Sequence, residues 1–305
     1  MLKRKQVAYM ERVRQLVGLS DKIAREYTGR GVVIALLDTG VCPTHPDIKN
    51  RILAYYDFVD KENDFDDKNG HGTHIAGILC GSGSMSEGRY RGIAPEASLV
   101  ILKVLDEKGN GKTQNVIHAL EWLLKNHRRY HVRILNFSIG FLHHAKKQEQ
   151  YHLIKLLEKL WDDGVVVVVA AGNNGPRKGS VTVPGICRKV ITVGSWDERY
   201  SSYSGRGPTT CCIVKPEILA PGTSIMSLDN KKNGYASRTG TSMAVPVVCG
   251  GIALGIQKNP RLTPLSVKLL LYQSACKTPG DYEKSWGRFQ IDKFLDVVEK
   301  QSIKH

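Results

Sequence analysis

Four short segments of the chain carry residue types suited to acyl transfer: Leu37-Asp38-Thr39-Gly40, His71-Gly72-Thr73-His74, Ala170-Ala171-Gly172-Asn173 and Gly240-Thr241-Ser242-Met243-Ala244. Together they offer a carboxylate, an imidazole, a side-chain amide and a hydroxyl. A serine hydroxyl is too weakly acidic to attack a carbonyl unaided, so a neutral imidazole must take its proton. A buried carboxylate fixes the imidazole tautomer and stabilises the imidazolium that forms. An amide N–H must face the oxygen that turns negative in the tetrahedral intermediate.

Each piece has a plainer reading when taken alone. Asp38 in Asp-Thr-Gly suits a turn after a strand. His71 and His74 share a helical face and could form a metal pair, but the glutamate of an HExxH motif is missing. Ser242, next to Thr241, could cap a helix. Asn173 in Gly-Asn-Asn-Gly could be an ordinary loop residue.

Apolar runs alternate with amphipathic segments along the chain. Val32–Leu37, Ser98–Leu105, Arg133–Phe137, Val165–Ala171 and Val190–Val193 read as strands, the fourth almost wholly apolar as expected of a strand covered on both faces. Residues 71–81, 113–127, 146–162, 242–257 and 263–275 read as helices, the last opening on Thr263-Pro264, a cap followed by proline at the first helical position. Strand–helix alternation predicts an α/β, three-layer sandwich with a mainly parallel central sheet. Sites in such sheets gather at the carboxyl ends of strands. Asp38 and Asn173 follow two of them, at the same edge.

The chain has 305 residues, enough for one large core. Its longest apolar run falls well short of the roughly 20 residues that a membrane-spanning helix needs, and no membrane partner is expected. The N-terminus is basic, but Glu11, Arg12 and Arg14 interrupt any apolar stretch, so a secretory signal is not expected and a cytoplasmic location is. Seven cysteines at irregular spacing, with no CxxC pair, predict free, mostly buried thiols in a reducing compartment and no structural zinc. The net charge of +15 could attract nucleic acid or acidic protein, but the basic residues are scattered and no nucleic-acid motif accompanies them. No nucleic-acid partner is therefore expected.

The order Asp, His, Ser and the text around these residues resemble the subtilisin-like serine peptidases. The signatures are DTG at 38–40, NGHGTHIAG at 69–77, AAGN at 170–173 and GTSMAVP at 240–246. Lesser matches are HPD at 45–47, GIAPEASL at 92–99, NFSIG at 136–140 and KPEILAPG at 215–222, and the general look is that of the bacterial intracellular alkaline proteases. The resemblance implies that Ser242 is the nucleophile, His71 the general base and Asp38 its orienting carboxylate. Asn173 and the Ser242 N–H would then form the oxyanion hole, with Thr241 in support. It further implies that Gly109-Asn110-Gly111 and Ser138-Ile139-Gly140 sandwich an extended peptide by β-augmentation. Ala170, Ala171 and Gly172 would wall the pocket for the residue before the scissile bond, with Thr182 near its base and a cis-proline turn at Val183-Pro184-Gly185. An apolar or mid-sized residue should fit there, since no acidic residue falls at those positions.

Two departures bear on metals and domains. The segment Cys80–Arg91 holds one carboxylate, Glu87, beside Arg89 and Arg91; Asp47 in HPD resembles the family's aspartate ligand, but one or two carboxylates beside two arginines make a poor cage, so no calcium is expected there. The acidic stretch Asp57–Asp67 is the place most able to hold a cation, although a solvated loop is the plainer reading. Residues 1–27 form an extension, 28–298 the peptidase domain and 299–305 a tail. The chain is expected to act as a monomeric endopeptidase on extended or unfolded protein segments, with no cofactor. The rival readings are a dedicated processing protease with one partner, a non-catalytic binding protein on a protease scaffold, and a basic nucleic-acid-binding protein.

Overall fold

The computed structural model describes residues 9–60, 65–139, 146–196, 202–209, 212–231, 234–277 and 285–302. Two short helices open the chain, α1 (Tyr9–Leu16) and α2 (Asp21–Glu26). They lead into β1 (Val33–Asp38), β2 (Ile52–Asp57), α3 (His71–Cys80), β3 (Ser98–Lys103), α4 (Thr113–Asn126), β4 (Val132–Phe137), α5 (Lys147–Asp162) and β5 (Val166–Ala170). Then come β6 (Ile191–Trp196), β7 (Ile218–Pro221), the strand pair β8 (Ile225–Leu228) and β9 (Tyr235–Arg238), α6 (Thr241–Lys258), α7 (Pro264–Ser274), β10 (Gly287–Arg288) and α8 (Ile291–Ser302).

Eight strands form one sheet in the order β10-β7-β6-β5-β4-β1-β3-β2, and every pairing within it is parallel. The expectation of a mainly parallel α/β sheet is met. The antiparallel pair β8–β9 stands apart from it. Val, Ile, Leu and Ala make up nearly all of β1 and β5, and every residue of both is buried, because helices cover both faces of the sheet. β1 lies between β3 and β4. The chain therefore leaves β1 in one direction and later returns on its other side. Such a switch point opens a crevice at the carboxyl ends of the strands, and Asp38 is the last residue of β1.

Helix α6 is long and apolar enough to cross a membrane by length and composition, yet 83% of it is buried inside the fold. It is the central core helix, packed beneath β4 to β7 and against α3. Small residues let its neighbours approach: a Cβ at Gly255 would meet the Phe294 ring, and one at Gly250 would meet Ile93.

Helices α1, α2 and α8, together with β2, β7, the β8–β9 pair and β10, were not expected. Residues 9–27 join the common core: Met10, Val13 and Val17 are buried. The Val17 carbonyl accepts from the Ile291 N–H at 2.6 Å, and Gln257 Oε1 accepts from the N–H groups of Thr28 and Gly29. The six described cysteines are free, three of them buried. Burial pushes the Cys80 thiol up to about 12, so it stays protonated and inert.

Candidate active site

At the end of β1 the chain turns through Thr39 and Gly40 and meets the start of α3. Gly72 makes that meeting possible, since a Cβ there would collide with the Gly40 carbonyl oxygen and lie 3.1 Å from Asp38 Cβ. The backbones close up, and His71 Nδ1 lies 2.6 Å from Asp38 Oδ1. Asp38 is fully buried, and its Oδ1 also accepts from the Thr39 N–H at 2.8 Å. A carboxylate partner puts the neutral imidazole's proton on Nδ1 and leaves Nε2 free to act as a base. Burial disfavours the imidazolium, and the Arg238 charge adds to that. The charge and hydrogen bond of Asp38, helped by Asp67, outweigh both and hold the His71 pKa above its usual value.

Ser242 is the second residue of α6 and is nearly buried. In this structure its Oγ donates to the Ser138 carbonyl at 2.8 Å rather than to His71. Rotation about one side-chain bond redirects it, and nucleophile–base hydrogen bonds commonly form only with substrate bound. Asn173 follows β5, and its Oδ1 accepts from both the N–H and the hydroxyl of Thr241, at 3.0 and 3.1 Å. Those two donors fix the amide orientation, so Nδ2 is the end turned to the site. A Cβ at Gly240 would lie 3.3 Å from that nitrogen.

The proposed substrate-binding residues frame these groups. Gly109 and Asn110 are exposed and Gly111 half-buried, a strip shaped by Asp106, whose side chain accepts from the Asn110 N–H and whose own N–H donates to the Asn110 carbonyl. Asn69 ties the strip to the His71 side by donating to the Glu107 carbonyl at 3.0 Å. Ser138 and Ile139 are buried beside Ser242; Gly140 lies outside the described residues. Ala170 ends β5, and the Thr182 N–H donates to the Ala171 carbonyl at 3.0 Å. Gly172, at φ +88°, sits so close to the Thr182 hydroxyl that a Cβ would strike it. The Val183–Pro184 bond is cis.

Three supporting residues escaped sequence reasoning. Asp67 is buried, and its carboxylate accepts from the Thr39 hydroxyl, the N–H groups of Asn69, Gly70 and Thr73, and the Thr73 hydroxyl. It caps α3 from outside, a task that the N-cap residue Gly70 cannot perform. Thr39 Oγ1 accepts from the Gly72 N–H at 2.9 Å and links Asp67 to the Asp38 turn. His74 donates from Nε2 to the carbonyls of Ile225 and Ala236, pinning β8–β9 onto α3. Burial pushes its pKa down to about 3, so it stays neutral. The two histidines at helical spacing thus face different partners, His71 the Asp38 carboxylate and His74 the carbonyls of β8 and β9, and do not converge as a metal pair. An aspartate shortly before Asn-Gly-His was the one sequence signal for Asp67.

The donor sets argue against bound cations in the two loops considered. Asp47 spends Oδ1 on the Ser82 and Ser84 hydroxyls and the Met85 N–H, and Oδ2 on the Tyr235 hydroxyl. Protein hydrogens hold that carboxylate where a calcium ion would need it. Within the acidic stretch, Asp57, Asp60 and Asp66 surround the buried Lys103 ammonium at 3.0, 3.7 and 2.8 Å. Burial disfavours that ammonium, but its hydrogen bonds to Asp66 and Asp57 outweigh the effect and raise its pKa. The described part of this stretch is an ion-pair and capping segment, which corrects the plain solvated-loop reading; residues 61–64 lie outside the described residues.

A parallel α/β sheet with Asp38, His71, Asn173 and Ser242 at one edge defines a subtilisin-like serine-protease fold. The subtilase family pattern matches residues 29–294, and the chain belongs to that family of serine endopeptidases. It is similar to the serine protease AprX of Bacillus subtilis (strain 168), at 40% identity over 85% of this chain and 64% of that one. It therefore spans a little under two-thirds of that relative's length. It is also similar to the major intracellular serine protease of the same organism, at 36% identity over 76% of this chain and 70% of that one. Among solved structures it resembles Sphericase, with a TM-score of 0.79 and 28% identity over 94% of this chain and 99% of that one.

Proposed function

We propose that the protein is a serine endopeptidase that cleaves extended or unfolded protein segments through an acyl-enzyme, with Asp38, His71 and Ser242 as its triad. The observation that supports this most is the 2.6 Å contact of a buried Asp38 with His71 Nδ1 at the sheet edge where α6 presents Ser242. A peptide pairs with Gly109–Gly111 on one side and Ser138–Gly140 on the other, and its apolar side chain enters between Ala170–Gly172 and Thr182. The Ser242 hydroxyl swings from the Ser138 carbonyl to His71 Nε2 and attacks the peptide carbonyl as His71 takes the proton. The oxyanion accepts from Asn173 Nδ2 and the Ser242 N–H, near the positive end of α6. Collapse transfers the His71 proton to the leaving amine, and water, activated by the same imidazole, then frees the acyl group. The proton taken from Ser242 stays on the imidazole, which Asp38 orients, until the leaving amine receives it. No step calls on a cofactor.

Residues 28–298 are the proposed peptidase domain, with 1–27 an extension, of which residues 9–27 pack on the core, and 299–305 a tail. A monomer in the cytoplasm fits the free thiols and the intracellular relative. Labelling with a fluorophosphonate tests the reading. The folded protein should take up one probe at Ser242, and Ser242→Ala should take up none. Absence of label on the folded wild type would defeat it.

A further inference from the structure

Arg238 ends β9, four residues before Ser242. Its guanidinium lies over the turn that leads into His71. Nη2 donates to the Asn69 carbonyl at 3.1 Å and would lie 3.0 Å from a Cβ on Gly70. The side chain is partly exposed. Arg14, Arg30, Arg89 and Arg128 each lie within ion-pair distance of a carboxylate. Arg238 has no such partner among the described residues. Asp67, close by, is already committed to the start of α3. Among the described residues one N–H of the guanidinium is used, and the rest of a fork suited to a carboxylate is left open by them.

Its location assigns a role to that open fork. The residues proposed to hold the acyl half of the substrate come from the β5 edge: Ala170, Ala171, Gly172 and Asn173, with Thr182 against them. The β8–β9 pair closes the other side, pinned by His74. His71 must hand its proton to the leaving nitrogen, so the chain beyond the scissile bond departs past His71, where Arg238 stands. The guanidinium is near enough to oppose the charge of a protonated His71.

We propose that Arg238 is a specificity-determining residue that receives the carboxylate of an aspartate or glutamate on the leaving-group side of the scissile bond. The assignment rests on the triad reading above. It makes the enzyme selective for acidic sequence after the cut and apolar sequence before it.

Quenched fluorogenic peptides that differ only in the residue after the cut, Glu, Gln or Lys, test this. Wild type should cleave the Glu peptide with kcat/KM about tenfold above Gln at low salt, a ratio that shrinks as salt screens the pair. Arg238→Gln should bring the ratio to about one, Arg238→Lys should keep part of it, and Arg238→Glu should invert it toward Lys. A purely structural arginine would alter rates on all three peptides without moving the ratio. The wild-type ratio and its salt dependence need no variant, so a variant that misfolds does not shield the claim. A wild-type ratio near one, or a ratio that survives Arg238→Gln, overturns the proposal while leaving the triad standing if Ser242 still takes the fluorophosphonate. Failure of both cleavage and labelling overturns both.

Discussion

As the proposed triad, Ser242, His71 and Asp38 should act as a unit, and their removal should show it. Ser242→Ala should lower kcat by about 10⁶-fold, and Asn173→Ala by roughly 10² to 10³-fold; these magnitudes are those known for subtilisin, brought to this chain by family membership. Both are checked on a peptide substrate at saturation, and a Ser242→Ala enzyme as active as wild type would refute the assignment. The Asn173 loss should appear in kcat with little change in KM, because the amide meets an oxyanion present only in the transition state. The pH profile follows from His71. Its imidazole must be neutral to take the proton, so activity is present above its pKa and lost as pH falls through it. Asp38 holds that pKa above the ordinary value of about 6.5, so the acidic limb of kcat/KM should fall above pH 6.5. A limb centred well below 6.5 would contradict the Asp38–His71 pairing.

The start of α3 positions the base, and it depends on contacts that come from other elements. Asp67 and Thr39 bind its first turn to the end of β1, while His74, its fourth residue, fastens β8–β9 to it. His74 makes this junction sensitive to acid. Its folded-state pKa is about 3, against roughly 6.5 in the unfolded chain. Between those values the unfolded state binds a proton that the folded state refuses, so stability is full above pH 6.5 and declines as pH falls toward 3. Urea midpoints across that window should fall with pH in the wild type. His74→Gln should flatten part of that slope, since an amide N–H can serve the same two carbonyls without titrating. An unchanged slope would show that other groups set the acid sensitivity.

The molecule as a whole is held by its core and its ion pairs, with protein donors occupying the carboxylates of the two loops considered for a cation. Asp47 is satisfied by Ser82, Ser84, Met85 and Tyr235, and Lys103 takes the place a cation would fill among Asp57, Asp60 and Asp66. EDTA should therefore leave the thermal midpoint within a few degrees of its value in calcium, where 1 kcal/mol corresponds to about 2–4 °C for a chain of this size or somewhat smaller. A drop of more than about 10 °C in scanning calorimetry would reveal a structural metal.

Much of this architecture could be read from local pattern. Val165–Ala171 is apolar throughout, so it had to be an inner strand, and the helix from 146 to 162 repeats leucine at helical spacing. Such signals are local, because burial on one or both faces dictates residue type position by position. The residues proposed as nucleophile, base, carboxylate and oxyanion amide could be singled out for a similar reason: each proposed task requires a residue type that little else can replace, set among glycines that close backbone approach demands. Asp67, His74, Lys103 and Arg238 were not legible. Apart from Asp67, whose donors are mostly local, each takes its role from partners distant in the sequence, as when Arg238 reaches Asn69 or His74 reaches Ala236. A buried lysine or an acidic loop looks the same in sequence whether it binds a metal, water or another side chain. Folding decides among them, because only packing sets which charges share one low-dielectric site and must pair there.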